Sequence, residues 1–412
     1  MNKYFKLNPF VIFKQGDNEG CLYNLSNGNM FNVKENVYDI LKKVENSISI
    51  DELNNEEVCF LDKLESMGLG KYYDNNVYID NTYLGESIEF ENIIEKNIEI
   101  NRIYLELTNK CNLNCVFCNP LDDKAYKKTG CKRWSNKEEP IGIDDYKEIL
   151  NQCLNLGLKE IVFTGGEPFL EFEKIKKIVE YSERLGINKF IIYTNGIILS
   201  NEMIKFIKKF NIRLIIQVLS LDDKEFLLLT GKNLNISILN VINELKLNNI
   251  DFFIKILVNK VNENSIEKIK SQLYEYGLKG KIILDYIYPH NKEYNSLKYE
   301  EQIYNKKLKL TNVSLANYTI NRKYNKCFYN QLAITLDGYV IPCIMLRKIK
   351  LGSIKQKPIY KIITEEKYCN IIRLNKSKID KCSRCSYNLG CSDCLAIQYE
   401  ATGNLETIEY CK

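Results

Sequence analysis

Between Ile103 and Tyr286 the chain alternates short apolar runs with longer stretches of helical spacing. The runs fall near 103–108, 160–164, 189–194, 212–219, 252–258 and 281–286. Six βα repeats of this kind predict an α/β fold around a parallel sheet, either doubly wound or a partial (β/α)6 TIM barrel. Function then belongs at the C-terminal ends of the strands. Ahead of the repeats, Val11–Phe13, Cys21–Leu25 and Met30–Val33 read as strands, with Asn27-Gly28 as a hairpin turn between the last two. Helical spacing follows at Val37, Ile40, Leu41 and Val44. Ser49 with Glu52 reads as a capping box opening a second helix, and a third runs from about Glu56 to a stop at Gly68. The pattern divides the chain into a β3α3 unit (1–84), a linker (85–100), the repeats (101–290), a Tyr-, Asn- and Lys-rich bridge (291–326) and a cysteine-dense end (327–412), where the regular periodicity fades.

Composition narrows the chemistry. The 412 residues are 45% hydrophobic and 27% charged, enough to bury a substantial core. No run approaches the roughly 18 apolar residues of a membrane span, and the apolar patch Pro9–Phe13 is too short for a signal peptide, so the expectation is a cytoplasmic protein. Residues 1–100 hold 9 Lys and 18 Asp+Glu, a charge of −9, so the remainder carries +14 of the net +5. The acidic front is expected to be a separate module. The basic side is 50 Lys against 8 Arg, a bias that does not suggest a nucleic-acid surface, where Arg forks are expected. One histidine, His290, excludes multi-histidine metal sites. Fifteen cysteines in a reducing compartment point to metal or redox use rather than a disulfide framework.

The cysteines are patterned. Directly after the first strand of the repeats stands Cys111-Asn-Leu-Asn-Cys115-Val-Phe-Cys118. Three thiolates need a fourth ligand to complete tetrahedral zinc, but three can hold a [4Fe–4S] cluster with one iron open to a substrate. After the second strand comes Thr164-Gly165-Gly166-Glu167-Pro168. Glycines at a strand end allow close approach of a ligand to the backbone, and a carboxylate can pair with an ammonium group. Near the C-terminus the order is Cys327, Gly338, Cys343, then Cys382-x2-Cys385-x5-Cys391-x2-Cys394 and, after sixteen intervening residues, Cys411. Paired C-x2-C knuckles suit zinc as well as iron–sulfur clusters.

The triplet on the first loop and Gly-Gly-Glu-Pro after the second strand resemble radical S-adenosylmethionine (SAM) enzymes, whose fold is a partial (β/α)6 barrel. The resemblance implies that Cys111, Cys115 and Cys118 hold the radical SAM [4Fe–4S] cluster, and that the cofactor's amino group meets Glu167 and the backbone of Gly165 and Gly166. Asn195 and Ser220, at the next two strand ends, match family positions that contact the ribose or methionine. The family often follows Ser-x-Asp with Gly and later an Arg before Gly. Here Asp223 and Thr230 stand in those places, leaving Lys224 or Lys232 as possible substitutes. The C-terminal cysteines resemble the SPASM extension, although the last spacing is x2 where x3 is usual. Its interleaved connectivity implies two auxiliary [4Fe–4S] clusters, one on Cys382, Cys385, Cys391 and Cys411 and the other on Cys327, Cys343 and Cys394. A further cysteine that some members carry just before the first is absent from 321–326, which implies an open iron.

The front unit resembles the winged-helix-like, PqqD-like leader-recognition domain of enzymes that modify ribosomally made peptides. There the leader adds to an exposed strand edge, here expected at Met30–Val33 and the helix Glu56–Met67. The whole reading is a radical SAM, SPASM-type maturase acting on a precursor peptide with a leader, served by an electron donor such as flavodoxin or ferredoxin and forming a thioether at a peptide cysteine. A sulfatase-type maturase making formylglycine and a non-catalytic zinc-binding protein are the competing readings. Cys21, Cys59, Cys131, Cys153 and Cys369 are expected to stay outside the clusters, with Cys153 in the core and His290 in a surface turn.

Overall fold

The computed structural model describes residues 3–79, 98–118, 125–127, 139–233, 237–289 and 309–411. Cys131, His290, most of the expected linker and 291–308 of the expected bridge lie outside them.

The front of the chain forms β1 (Tyr4–Leu7), β2 (Val11–Lys14), β3 (Gly20–Asn24) and β4 (Met30–Val33), then helices Tyr38–Glu45 and Asn55–Ser66, then β5 (Gly70–Tyr73). β2, β3 and β4 make the expected antiparallel three-stranded sheet, with Gly28 at φ +81° in the turn. Two expectations change. The segment around Ser49 is a single 3-10 turn, Ile50–Glu52, although its capping box forms as expected. β1 pairs antiparallel with β5 in a second ribbon, so the front unit holds two strands beyond the expected three. Asn54 caps the last helix by accepting from the Glu57 amide, while Glu57 reaches back to the Asn54 amide. The apolar faces meet at Phe5, Leu22, Leu41, Leu61 and Leu64, which form a small core of their own.

The repeats form β6 (Arg102–Glu106), β7 (Ala125–Lys127), β8 (Glu160–Thr164), β9 (Lys189–Thr194), β10 (Arg213–Val218), β11 (Phe252–Val258) and β12 (Ile282–Pro289). Six of them, β6-β8-β9-β10-β11-β12, lie parallel in that spatial order. β7 pairs antiparallel with β12 at one edge. Each crossover helix buries one stripe on the sheet. In Phe172–Arg184 the buried positions are Phe172, Ile175, Ile178, Val179 and Ser182, each large apolar one contributing about 1.5–3 kcal/mol by removal from water.

The cysteine-dense end is more regular than its pattern suggests. β13 (Gln331–Ile334) adds in parallel beside β6, and β14 (Tyr339–Ile341) and β15 (Gly352–Ser353) continue antiparallel, giving one ten-stranded sheet. The C-terminal region is therefore welded to the first barrel strand, and Leu332, Ile334, Val340 and Ile341 share the main core with Ile103 and Leu105. Among the described residues no helix is long and apolar enough to cross a membrane.

Candidate functional site

The loop after β6 carries Cys111, Cys115 and Cys118, the last two joined by a turn in which the Cys118 amide donates to the Cys115 carbonyl at 2.9 Å. The glycines after β8 hold this loop in place. The Gly166 amide donates to the Thr108 carbonyl and the Glu167 amide to the Lys110 carbonyl, both at 2.8 Å. A Cβ on Gly165 would stand 2.4 Å from the Thr108 oxygen, and one on Gly166 2.0 Å from the Lys110 oxygen. Gly165 also has φ +144°. The close approach that these glycines permit is thus made by the cysteine loop itself.

Glu167 is fully buried. Its carboxylate accepts from the Phe169 amide (3.2 Å), the Thr194 hydroxyl (2.8 Å) and the Asn195 amide (2.9 Å), tying the end of β8 to the end of β9. Burial pushes its pKa up to about 7 against these three stabilising donors. The Asn195 side chain donates to Asn112 at 2.7 Å and lies 3.9 Å from the Cys111 sulfur. Cys111, Cys115, Gly165, Gly166 and Asn195 therefore line one cleft, together with Lys255 on β11. Lys255 pairs with Asp285 at 3.1 Å, and no motif in the sequence marked it. Ser220 lies outside that lining. Its hydroxyl donates to Glu225 at 2.7 Å and accepts from the Asp222 amide, so it braces the start of the helix Asp223–Thr230. That helix ends at Gly231, φ +65°, where the Thr230 carbonyl accepts from the Asn114 amide of the cysteine loop.

The C-terminal cysteines sort into neighbourhoods. Burial pushes the Cys343 thiol up to about 12, and the nearby Cys394 and Cys327 sulfurs add to the shift. Burial does the same to Cys382, where Lys376 opposes and Cys391 and Cys411 reinforce. Cys385 follows Cys382 in a turn and is electrostatically coupled to Lys14 and Cys21 of the front unit. Among the described residues no three Cys, His, Asp or Glu side chains already stand as a ligand cage. The donor chemistry fits iron–sulfur clusters all the same. These are sulfur-only sets, without a histidine, and at Cys343, Cys382 and Cys391 burial opposes the thiolate unless a cationic centre replaces the proton. Cys153 is fully buried in the main core as expected, whereas Cys59 is exposed.

Lys376, Asp393 and Lys309 form a buried charged group beside these sulfurs. Lys309 pairs with Asp393 at 2.7 Å, and Gln398 donates to the other carboxylate oxygen at 2.7 Å. Burial lowers the Lys376 ammonium pKa, but Asp393, Cys391, Cys382 and Cys327 outweigh it and bring it up to about 12. Nothing in the sequence distinguished this lysine from 49 others.

Residues 105–273 match the radical SAM superfamily, and 327–386 match SPASM, an iron–sulfur cluster-binding domain. The chain is 28% identical over 284 residues to an uncharacterized protein of Methanocaldococcus jannaschii, covering 63% of this chain and 94% of that one. It is 37% identical over 114 residues to the GTP 3′,8-cyclase of Clostridium acetobutylicum, 28% of this chain and 32% of the relative. It is 24% identical over 220 residues to the radical SAM cyclopropyl synthase TigE of Paramaledivibacter caminithermalis, 49% of this chain and 46% of that one. These last two matches therefore span less than half of each relative. Among solved structures, Streptococcus suis SuiB bound to precursor peptide SuiA aligns with TM-score 0.51 at 16% identity over 97% of both chains. anSMEcpe with bound AdoMet aligns with TM-score 0.55 at 16% identity, over 74% of this chain and 88% of that one.

Proposed function

From the premise that the chain is a radical SAM enzyme with a SPASM domain, which sets aside a non-catalytic zinc-binding protein, we propose that it matures a ribosomally made precursor peptide. On this reading residues 1–84 bind the leader, 101–290 hold SAM and the first cluster, 327–412 hold the auxiliary clusters, and the product is a thioether at a peptide cysteine.

The observation that carries the reading is the seating of the front sheet on the auxiliary-cluster loop. Asp17 donates its amide to the Arg384 carbonyl at 3.1 Å, Lys14 donates to Asn388 at 2.8 Å, and Tyr387 donates to Glu19 at 2.8 Å. A peptide strand added to β4, which pairs only with β3 among the described residues, is delivered beside that loop. The likeness to SuiB, a protein solved with its precursor peptide, covers the front unit as well as the barrel.

When bound, SAM and the reduced first cluster supply one-electron cleavage to a 5′-deoxyadenosyl radical. The chain's own residues do the rest. Cys111, Cys115 and Cys118 would hold the first cluster, Asn195 is set to orient the cofactor across the cleft, and Glu167, buried behind the lining of that cleft, fixes both strand ends and by the resemblance is the carboxylate that meets the cofactor's amino group. Making a carbon–sulfur bond removes a hydrogen atom from carbon and a proton and an electron from the thiol. Cys327, Cys343 and Cys394 would hold the cluster that takes up this electron on its way to a carrier such as ferredoxin or flavodoxin, while the hydrogen atom ends on the 5′-deoxyadenosyl group and the proton passes to solvent.

The test is anaerobic incubation of the reconstituted enzyme with SAM, dithionite and the peptide encoded by a short cysteine-containing reading frame beside its gene. A product lighter by two hydrogens, with its cysteine no longer alkylated by iodoacetamide, is the expected result. An unchanged peptide, with SAM still cleaved, refutes the thioether.

A further inference from the structure

The buried charges beside the auxiliary cysteines do not cancel. Asp393 supplies one negative charge, and Lys309 already meets it at 2.7 Å. Lys376 stands 3.6 Å from the same carboxylate, beyond hydrogen-bond reach, and its buried ammonium has no hydrogen-bond partner among the described residues. A buried ammonium without a hydrogen bond is costly, so it marks a place for a further acceptor or negative charge. The turn Lys376–Lys378 that carries it is fixed by Asn375, which accepts from the Ser377 amide and donates to the Arg322 carbonyl. The surplus positive charge is therefore held in place rather than free to swing into solvent.

What surrounds it is sulfur. Cys327 of one auxiliary set and Cys391 of the other line the same small cavity as Lys376 and Asp393. Cys382 is electrostatically coupled to the same ammonium. A thiolate-held cluster is anionic and gains one more negative charge on reduction. A fixed cation and N–H donor beside its sulfurs favours that reduced state, and charge and hydrogen bonding of this kind are what the protein uses to set a cluster's potential.

We propose that Lys376 is a positioning residue for electron transfer, its buried ammonium standing between the two auxiliary cysteine sets and raising the reduction potential of the clusters they hold. It balances the electron that an auxiliary cluster accepts, and it does so from a site shared by both sets. The inference rests on the cluster assignment and not on the peptide substrate, so failure to find a substrate leaves it intact.

The test is an electron paramagnetic resonance redox titration of anaerobically reconstituted full-length enzyme with dithionite as reductant. Auxiliary signals are assigned from the variant with Cys111, Cys115 and Cys118 replaced by Ala. Lys376→Gln should shift at least one auxiliary midpoint to more negative potential, leave the first cluster unmoved, and be largely rescued by Lys376→Arg. If Lys376→Gln instead loses auxiliary iron that Lys376→Arg retains, the lysine serves cluster assembly rather than potential, and the proposal fails. Auxiliary midpoints unchanged in fully loaded Lys376→Gln, or auxiliary iron lost from both variants, would overturn it.

Discussion

Tyr23, on the middle strand of the front sheet, donates its hydroxyl to the carbonyl of Ser386, the residue after Cys385, at 2.5 Å. The phenol is fully buried, so this bond is shielded from water, and it joins the expected leader-binding unit to the expected cluster loop. The front unit and the C-terminal cysteine loop are thus mechanically adjacent in this fold. Cutting away the first 84 residues would uncover Tyr387 and Leu389, which pack with Tyr23 and Leu25. Point changes are a cleaner probe of the joint than deletion.

Gly16 is the sharpest such point. A Cβ there would stand 2.6 Å from the Ser386 amide and 2.8 Å from the Glu19 carbonyl, both backbone atoms that cannot swing aside. Gly16→Val should cost about 1–3 kcal/mol through forced separation of the two surfaces. Limited proteolysis should then cleave the front unit faster in the variant than in wild type. Equal digestion rates and equal melting temperatures would show that the contact contributes nothing.

Metal content tests the cysteine assignments. Anaerobically reconstituted protein should be brown and hold about twelve irons per chain if all three sites are cubane clusters. Replacing Cys111, Cys115 and Cys118 together by Ala should remove about four of these and leave the auxiliary absorbance. Zinc at stoichiometric levels in colourless protein would exclude the cluster reading.

The barrel was legible because six buried strands write themselves as apolar runs and the cysteine spacings lie within short loops. β13 beside β6 was not, because Gln331–Ile334 is short and its partner lies more than two hundred residues earlier. β1 and β5 escaped for the same reason, being edge strands whose pairing is set by tertiary contact. The role of Gly165 and Gly166 was half legible. Their need for a close neighbour follows from glycine itself, but the neighbour is the Thr108–Lys110 backbone, which no local pattern discloses. Lys376 and Lys255 left no trace because a solvated lysine and a buried one are the same letter.

Glu106 at the end of β6 and Arg347 beyond β14 form a buried ion pair, with the Leu336 amide donating to the second carboxylate oxygen at 3.0 Å. This pair clamps the first barrel strand to the C-terminal region. Glu106→Gln removes the buried carboxylate charge that faces Arg347 and should destabilise by about 3–5 kcal/mol, whereas Glu106→Gln with Arg347→Met should recover a large part of that loss. Denaturant unfolding of the cofactor-free proteins gives the cycle. Additive losses in the double variant would show that the two side chains act independently.

Glu167 gives a pH dependence whose sign follows from its burial. Its pKa moves from an ordinary 4.5 to about 7, so between those values the folded chain holds a proton that the unfolded chain has released. The stability contributed at this site is therefore fully present below about pH 4.5, declines as pH rises toward 7 and is level above, a change of about 3 kcal/mol. Glu167→Gln cannot titrate, so the stability of wild type relative to this variant should fall by that amount between pH 4.5 and 7.5 in urea unfolding of cofactor-free protein. A pH-independent difference would place the carboxylate in ordinary solvation. Cofactor binding reads the same group from the other side. Three donors leave one of the carboxylate's roughly four lone-pair positions open, and an ammonium arriving there favours the charged form. Binding of SAM at pH 6.5 should then release a proton in wild type and none in Glu167→Gln. Calorimetry in buffers of different ionisation heat counts it, and equal proton release by both proteins would assign the cofactor's amino group to another partner.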